Sequence, residues 1–247
     1  MKPTKVADDI FQLSVNVEDI LFEGLWEIPN GVALNSYIVK GEKTAIIDGV
    51  CGWEGVPGQL YELLDKLDID PGSIEYLVIN HMEPDHSGWI EDFKQIKSDF
   101  KVVCSKKSAE LLEQFYGHTD NVMCVGDNDT LDLGNGHVLS FHEIPNVHWP
   151  DTIATFDSKT GTLFTCDAFG SFGKAEEANY DDMLSEEKLA FFEEEAVRYY
   201  ANIVAAFSGP AREEVTVIWG SMYGMTEKAV KHAVKVLEEE GIAHHVH

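Results

Sequence analysis

Short apolar runs with polar punctuation open the chain, and their spacing predicts strands before it predicts helices. Ile10 to Val15, Ala33 to Lys40 and Thr44 to Ile47 read as strands, and the turn Gly41-Glu42-Lys43 joins the last two as a hairpin. Tyr61 to Leu67 carries apolar residues at helical spacing, whereas Tyr76-Leu77-Val78-Ile79 is a short apolar run that suits a buried strand. A helix (Trp89 to Ile96), a strand (Val102 to Cys104) and another helix (Ser108 to Tyr116) follow. From Asn121 to Thr165 the pattern is again β, broken at Gly134-Asn135-Gly136 and at Lys159-Thr160-Gly161.

Ser185 then starts an amphipathic helix. Leu189, Phe192, Ala196, Tyr199, Tyr200, Ile203 and Phe207 lie along one stripe, with Glu186, Glu187, Glu194 and Glu195 off it. The breaker cluster Ser208-Gly209-Pro210 marks the expected domain boundary, so residues 1–210 form the first domain. Beyond it Val215 to Trp219 reads as a strand and Thr226 to Glu240 as a helix closed by Gly241. A strand, a loop and a helix cannot bury a core alone. Residues 214–247 are therefore expected either to dock on the first domain or to be the incomplete start of a second.

Composition changes this picture little, and charge changes it more. The 247 residues are 44% hydrophobic and 25% charged, ordinary values for a globular α/β protein. Lys and Arg total 18 against 44 Asp and Glu, a formal net charge of −26. Such a surface repels phosphate backbones and anionic membranes, which argues against nucleic-acid binding and would steer a basic redox partner inward. No stretch is long and apolar enough to span a membrane, and no signal-peptide pattern opens the chain. None of Cys51, Cys104, Cys124 and Cys166 forms a Cys-x-x-Cys pair, and Cys104 and Cys166 sit in strand-like apolar runs. A reducing cytoplasmic location is the simplest expectation.

Candidate chemistry concentrates on one loop. The buried run ending at Ile79 leads directly into Asn80-His81-Met82-Glu83-Pro84-Asp85-His86-Ser87-Gly88. Loops leaving the C-terminal ends of buried strands are the usual location of sites in α/β folds. Two imidazoles and two carboxylates so close together need a cation between them or full solvation. A solvated polar loop is disfavoured by its apolar flanks and by two more candidates, His148 and Asp167, placed like it at strand ends. Three histidines and three carboxylates without a thiolate suit iron or manganese better than closed structural zinc. They also suffice for two ions and a bridging carboxylate.

The order of strands and the His-x-Glu-x-Asp-His-x-Gly loop resemble a metallo-β-lactamase fold, an αββα sandwich. The hydrolases of that fold carry His where this chain has Glu83, and Glu there resembles the flavodiiron proteins, or A-type flavoproteins. Leu34-Asn35-Ser36-Tyr37, His148-Trp149-Pro150-Asp151, Asp167-Ala168-Phe169-Gly170-Ser171-Phe172-Gly173 and Tyr199-Tyr200-Ala201-Asn202-Ile203 extend the likeness from about residue 5 to 207. The resemblance implies that His81, Glu83 and His148 bind one iron, Asp85 and His86 the second, and Asp167 bridges them. It implies an oxidoreductase that reduces dioxygen to water, nitric oxide to nitrous oxide, or both. Such an enzyme is fed by FMN and by a rubredoxin or flavin reductase, and works as a head-to-tail homodimer. Val215 to Glu227 resembles the phosphate loop that opens a flavodoxin domain, which makes Ser221, Met222, Tyr223, Gly224, Met225 and Thr226 the expected FMN contacts.

The resemblance breaks in two places. The family takes a last histidine for the second iron from a Ser-His-Gly-like segment, where Phe207-Ser208-Gly209-Pro210-Ala211-Arg212-Glu213-Glu214 runs straight into the next strand. The flavodoxin-like part is expected to stop after its first helix. His232 reads as a solvated helix residue, and His118, His137 and His142 read as loop or strand-surface residues. Two other functions compete: a metallohydrolase using metal-bound hydroxide, and a non-catalytic relative that binds metal weakly.

Overall fold

The structure is a computed structural model, and it describes residues 2–18, 21–22, 26–49, 56–175, 180–205, 215–217 and 244–246. Its Cα positions divide into two compact units, one of residues 1–17 and 33–166, the other of residues 18–32 and 167–247.

The first unit is built from two sheets. Strands β1 (Thr4–Ala7) and β2 (Ile10–Val17) pair antiparallel. After β3 (Leu21–Phe22) and β4 (Trp26–Glu27), which belong to the second unit, β5 (Val32–Lys40) and β6 (Thr44–Ile47) form the expected hairpin. Helix α1 (Val56–Asp65) leads to β7 (Ile74–Ile79), and α2 (Pro84–Ser87) and α3 (Ile90–Ile96) lead to β8 (Lys101–Ser105). Helix α4 (Lys106–Tyr116) returns to β9 (Val122–Val125). The sheet order is β1-β2-β5-β6-β7-β8-β9, with β6 to β9 parallel. A second, antiparallel sheet holds β10 (Thr130–Gly134), β11 (His137–Glu143), β12 (Ile153–Asp157) and β13 (Thr162–Phe164).

Burial explains the sequence pattern. One face of the large sheet (Ile38, Ile46, Leu77, Ile79, Val102) packs on Leu60 and Leu64 of α1, Phe93 of α3 and Leu112 of α4. The other face (Val39, Ile47, Val78, Val103) meets Leu131, Leu139, Phe141 and Ile153 of the second sheet. Parallel strands covered on both faces read as continuous apolar runs rather than alternating ones, as β7 does. Helix α1 stops two residues short of the expected Leu67. Asp68 turns left-handed there (φ 53°), and Leu67 N–H closes back onto Leu64 O at 3.0 Å.

Three side chains of the first unit depart from expectation. His118 and His137 are buried rather than on the surface, at 4% and 0% exposure. His137 alternates with Leu139 and Phe141 on the inward face of β11, where its Nδ1 lies 3.2 Å from Asp157 Oδ2. His118 stacks on Phe100 with ring centroids 5.7 Å apart. Cys166 is not on a strand: β13 ends at Phe164, and Cys166 begins a 3-10 turn running to Phe169.

In the second unit Ser185 caps α5 (Glu186–Tyr199), its Oγ accepting from Lys188 N at 3.3 Å. Glu195, expected on the solvated face, is buried, because Asn30 Nδ2 (3.2 Å) and Arg198 (3.2 Å) hold its carboxylate. Tyr200 is exposed instead, at the point where the helix widens into a π turn over Tyr200–Val204. The strand expected at Val215 is β14 (Val215–Val217), and it pairs in parallel with β15 (His244–Val246), an element the sequence pattern does not suggest. The expected helix over 226–240 and the candidate FMN contacts Ser221 to Thr226 lie outside the described residues. Among the described residues no helix is long and apolar enough to cross a membrane.

Candidate metal centre

The loop between β7 and α3 is pinned from below before it offers any donor outward. Asn80, fully buried, is the pin. Its backbone N–H and Nδ2 donate to the two oxygens of Asp48 at 2.9 and 3.2 Å, its Oδ1 accepts from Thr155 Oγ1 at 2.6 Å, and its carbonyl accepts from Ile153 N at 2.8 Å. This ties the end of β7 to β6 and to β12 in the opposite sheet. Asn80→Ala removes the Nδ2 donor from Asp48 and the acceptor from the buried Thr155 hydroxyl, while the backbone N–H bond to Asp48 Oδ1 stays. The expected cost is about 2–4 kcal/mol, read as a lower urea midpoint at unchanged slope.

From that anchor the loop turns at Pro84 into α2, with Glu83 at its N-cap position. Ser87 Oγ donates to Met82 O at 2.9 Å and meets Tyr116 OH at 2.9 Å, which fixes the turn against α4. Gly49 faces the same turn, and a Cβ there would stand 2.8 Å from His86 O, so only glycine admits this approach.

Three expected ligands converge. Glu83 Oε2 lies 2.9 Å from His81 Nε2 and 3.2 Å from His148 Nε2. The His81 and His148 ring centroids are 5.0 Å apart, and both rings are almost wholly buried. Burial pushes the Glu83 carboxyl up, but the His148 and His81 imidazoles outweigh it and hold the group at about 2, against an ordinary 4.5. Behind His81 stands Asp151, whose Oδ1 is 3.5 Å from His81 Nδ1 and whose Oδ2 accepts from Met82 N (2.9 Å) and Ser108 Oγ (2.8 Å). Burial raises the Asp151 carboxyl, and the contacts with His81, Ser108 and Met82 bring it below the usual carboxylate range.

His86 stands next to this group, 5.2 Å from His81 between centroids. Its Nε2 is 3.5 Å from Asp85 Oδ2, so the second expected pair also meets. Its Nδ1 faces the other way, 3.7 Å from Cys166 Sγ and 4.0 Å from Asp48 Oδ1. Asp167 is the residue after Cys166 and belongs to the second unit.

Sequence reasoning missed Asp48, Asp151 and Cys166 as members of this neighbourhood, and gave Asn80 a place in the loop without its anchoring role. For Asp151 a signal existed, since it closes the motif His148-Trp149-Pro150-Asp151. Asp48 offered only a carboxylate at the end of an apolar run, which many surface turns share.

The donor set fits a divalent ion with room for imidazole and carboxylate. His81, Glu83 and His148 each bring a ligand atom within 4.8 Å of the others, the two imidazoles buried, the carboxylate half-buried, and no thiolate among them. Two neutral imidazoles and one ionised carboxylate supply the nitrogen and oxygen donors that such ions bind. Asp151 occupies the position of a carboxylate that orients a ligating histidine from behind.

A pH prediction follows from Tyr37, packed edge-on against Phe164 at 5.1 Å. Burial, with the charges of Asp48 and Cys166 nearby, pushes its hydroxyl up to about 12 from an ordinary 10.0. A raised folded pKa leaves stability intact below about 10 and drains it as pH climbs toward about 12. Urea midpoints measured between those limits should fall in the parent chain and fall less in Tyr37→Phe. Equal slopes would remove Tyr37 as the cause.

The β-lactamase-like architecture and this His-Glu-His cluster agree with a comparison against protein-family models, in which residues 32–206 match the one described as "ODP family beta lactamase". The chain belongs to the flavodiiron family. Over 172 residues it is 40% identical to the putative diflavin flavoprotein A 1 of Nostoc sp., covering 69% of this chain and 28% of that protein. Over 205 residues it is 32% identical to the anaerobic nitric oxide reductase flavorubredoxin of Salmonella arizonae, covering 83% of this chain and 41% of that protein. A mutant flavo di-iron protein from Thermotoga maritima superposes with a TM-score of 0.71 at 27% identity, covering 99% of this chain and 71% of that one. Rubredoxin oxygen:oxidoreductase from Desulfovibrio gigas gives a TM-score of 0.72 at 24% identity, with 99% and 71% coverage, a likeness of fold alone. The expected metallo-β-lactamase-like α/β fold is thus the fold of this flavodiiron relative. The chain spans under half the length of the curated relatives named here.

Proposed function

We propose that this chain carries the di-iron centre of a flavodiiron oxidoreductase that reduces dioxygen to water, nitric oxide to nitrous oxide, or both. The observation that carries the reading is Glu83. A carboxylate sits between two buried imidazoles, 2.9 and 3.2 Å away, where a third imidazole would suit hydrolytic zinc. In this reading His81, Glu83 and His148 hold one iron, Asp85 and His86 hold the second through Nε2, and Asp167 bridges them. The short approach of Asp85 to His86 and the chain adjacency of Asp167 to Cys166 support that assignment. Two ferrous ions side by side would supply electrons to a small diatomic molecule without release of a one-electron product.

The residues of the chain have their own tasks. Glu83 and the second-site carboxylates balance the positive charge of the ions, and Asp151 keeps His81 facing the site by accepting at Nδ1. The buried ring of His81 and the half-buried ring of Trp149, 5.0 Å apart, help exclude bulk water from one side. The net charge of −26 favours a donor with a basic docking face, such as a rubredoxin or a flavin reductase of that charge. FMN at Ser221 to Thr226, a homodimer and a cytoplasmic location complete the proposal.

Metal analysis of the purified chain, followed by anaerobic reduction and mixing with oxygen or nitric oxide, tests this reading. Iron in the protein and consumption of either gas are expected. A single tightly held zinc with no consumption would replace it with the hydrolase reading.

A further inference from the structure

His86 has two ring nitrogens, and they face two different donor sets. Nε2 points to Asp85, the side used in the proposed iron chemistry. On the opposite edge Nδ1 lies 3.7 Å from Cys166 Sγ and 4.0 Å from Asp48 Oδ1. One ligand atom from each of Asp48, His86 and Cys166 lies within 4.8 Å of the other two. All three residues belong to the first unit.

The 4.0 Å between His86 Nδ1 and Asp48 Oδ1 is too long for a good hydrogen bond, which places N and O ~2.9 Å apart, whereas 3.7 Å between nitrogen and sulfur is the length of a weak thiol–imidazole hydrogen bond that a bound ion would replace. Both separations are close to what donors sharing one ion require. With Zn–N about 2.05 Å, Zn–O about 2.1 Å and Zn–S about 2.3 Å, a tetrahedral angle sets N···S near 3.5 Å and N···O near 3.4 Å. Sulfur already stands at that distance, and Asp48 has roughly half an ångström to close.

The donors are also held in place. Asp48 is 3% exposed, and both its oxygens accept from Asn80, which fixes the direction of the carboxylate. Asp48 and Cys166 both adopt left-handed backbone conformations (φ 54° and 52°), at the end of β6 and just beyond β13. Cys166 and His86 are half-buried, so an ion can reach them.

We propose that Asp48, His86 Nδ1 and Cys166 form a separate site for a thiophilic divalent cation of the zinc class. A thiolate, an imidazole and a carboxylate select a borderline-soft ion over magnesium or calcium, and three protein ligands leave a fourth position for water. On binding, the Cys166 thiol gives its proton to solvent as the metal–sulfur bond forms. A neutral imidazole bound through Nδ1 keeps its proton on Nε2. An ion at this site therefore withholds His86 from an ion on the Asp85 side. The site itself does not rest on the di-iron reading.

The full chain, stripped of metal with a chelator, is titrated with cobalt(II) as a spectroscopic stand-in for zinc. A thiolate-to-cobalt charge-transfer band in the near ultraviolet is expected. It should vanish in Cys166→Ser, need at least tenfold more cobalt in Asp48→Asn, and persist in Cys124→Ser and in Glu83→Gln. Persistence in Glu83→Gln separates this site from the His81–His148 centre, so either can fail alone. A second measurement needs no variant: zinc should slow iodoacetamide labelling of Cys166 at least tenfold, read by mass spectrometry, while exposed Cys124 labels at its usual rate. No band in the parent chain, a band that survives Cys166→Ser, or unprotected Cys166 would overturn the proposal.

Discussion

Glu83→Gln is expected to weaken iron binding at the His81–His148 pair by on the order of a hundredfold or more. The amide keeps the size of the carboxylate and loses its charge. Orienting groups outside the ligand shell already contribute about 10–100-fold to metal affinity, and a direct ligand contributes at least as much. The metal-free protein gives a second reading of the same change. Glu83 is held at about 2 against an ordinary 4.5, so its ionised form stabilises the fold above about 4.5, and that stability is lost as pH falls through about 2. Acid unfolding of the parent chain should steepen over this window, and the variant should lack that steepening. Iron content by plasma emission and fluorescence-detected acid titration check the two halves. A variant that retains full iron content would remove Glu83 from the ligand set.

Asp151→Ala is expected to be the most destabilising single change near the site, at about 3–5 kcal/mol. Three groups lose their acceptor in a buried setting: Met82 N–H, Ser108 Oγ and the Nδ1 edge of His81. The first two belong to the ligand loop and to α4, so the change loosens the loop from the helix as well as the ring from its support. Metal affinity should drop about 10–100-fold in whatever protein still folds. Asp151→Asn, with the same outline, should recover most of the stability and less of the affinity. Urea denaturation and metal competition titrations separate the two effects. If Asp151→Ala unfolds at the parent midpoint, the buttress has no energetic weight.

Much of the fold is legible in the pattern of apolar residues. The hairpin at Gly41 to Lys43, the buried strand ending at Ile79, and helices α3, α4 and α5 stand within a few residues of where periodicity puts them. These elements obey local rules: a turn residue, a cap, a run buried on both faces. His81, Glu83, Asp85 and His86 are legible for the same reason, since four donors on one short loop announce themselves without any knowledge of tertiary contacts. The surface assignments fared worse. His118 and His137 are polar residues that neighbours made tolerable inside, through Phe100 in one case and Asp157 in the other. Glu195 is buried because Asn30, far away in sequence, supplies a donor.

The sequence by itself determined the α/β class and the loop that carries the candidate ligands, because both depend on residue order over short distances. The tertiary structure decided which distant donors join that loop. Asp151 reaches His81 only because β12 lies beside the end of β7, and Asp48 faces His86 only because β6 and β7 run parallel in register. Cys166 faces His86 Nδ1 because the chain leaves β13 in a left-handed turn. Such meetings are set by long-range pairing and by the burial of polar groups against one another. Neither leaves a periodic trace along a single chain.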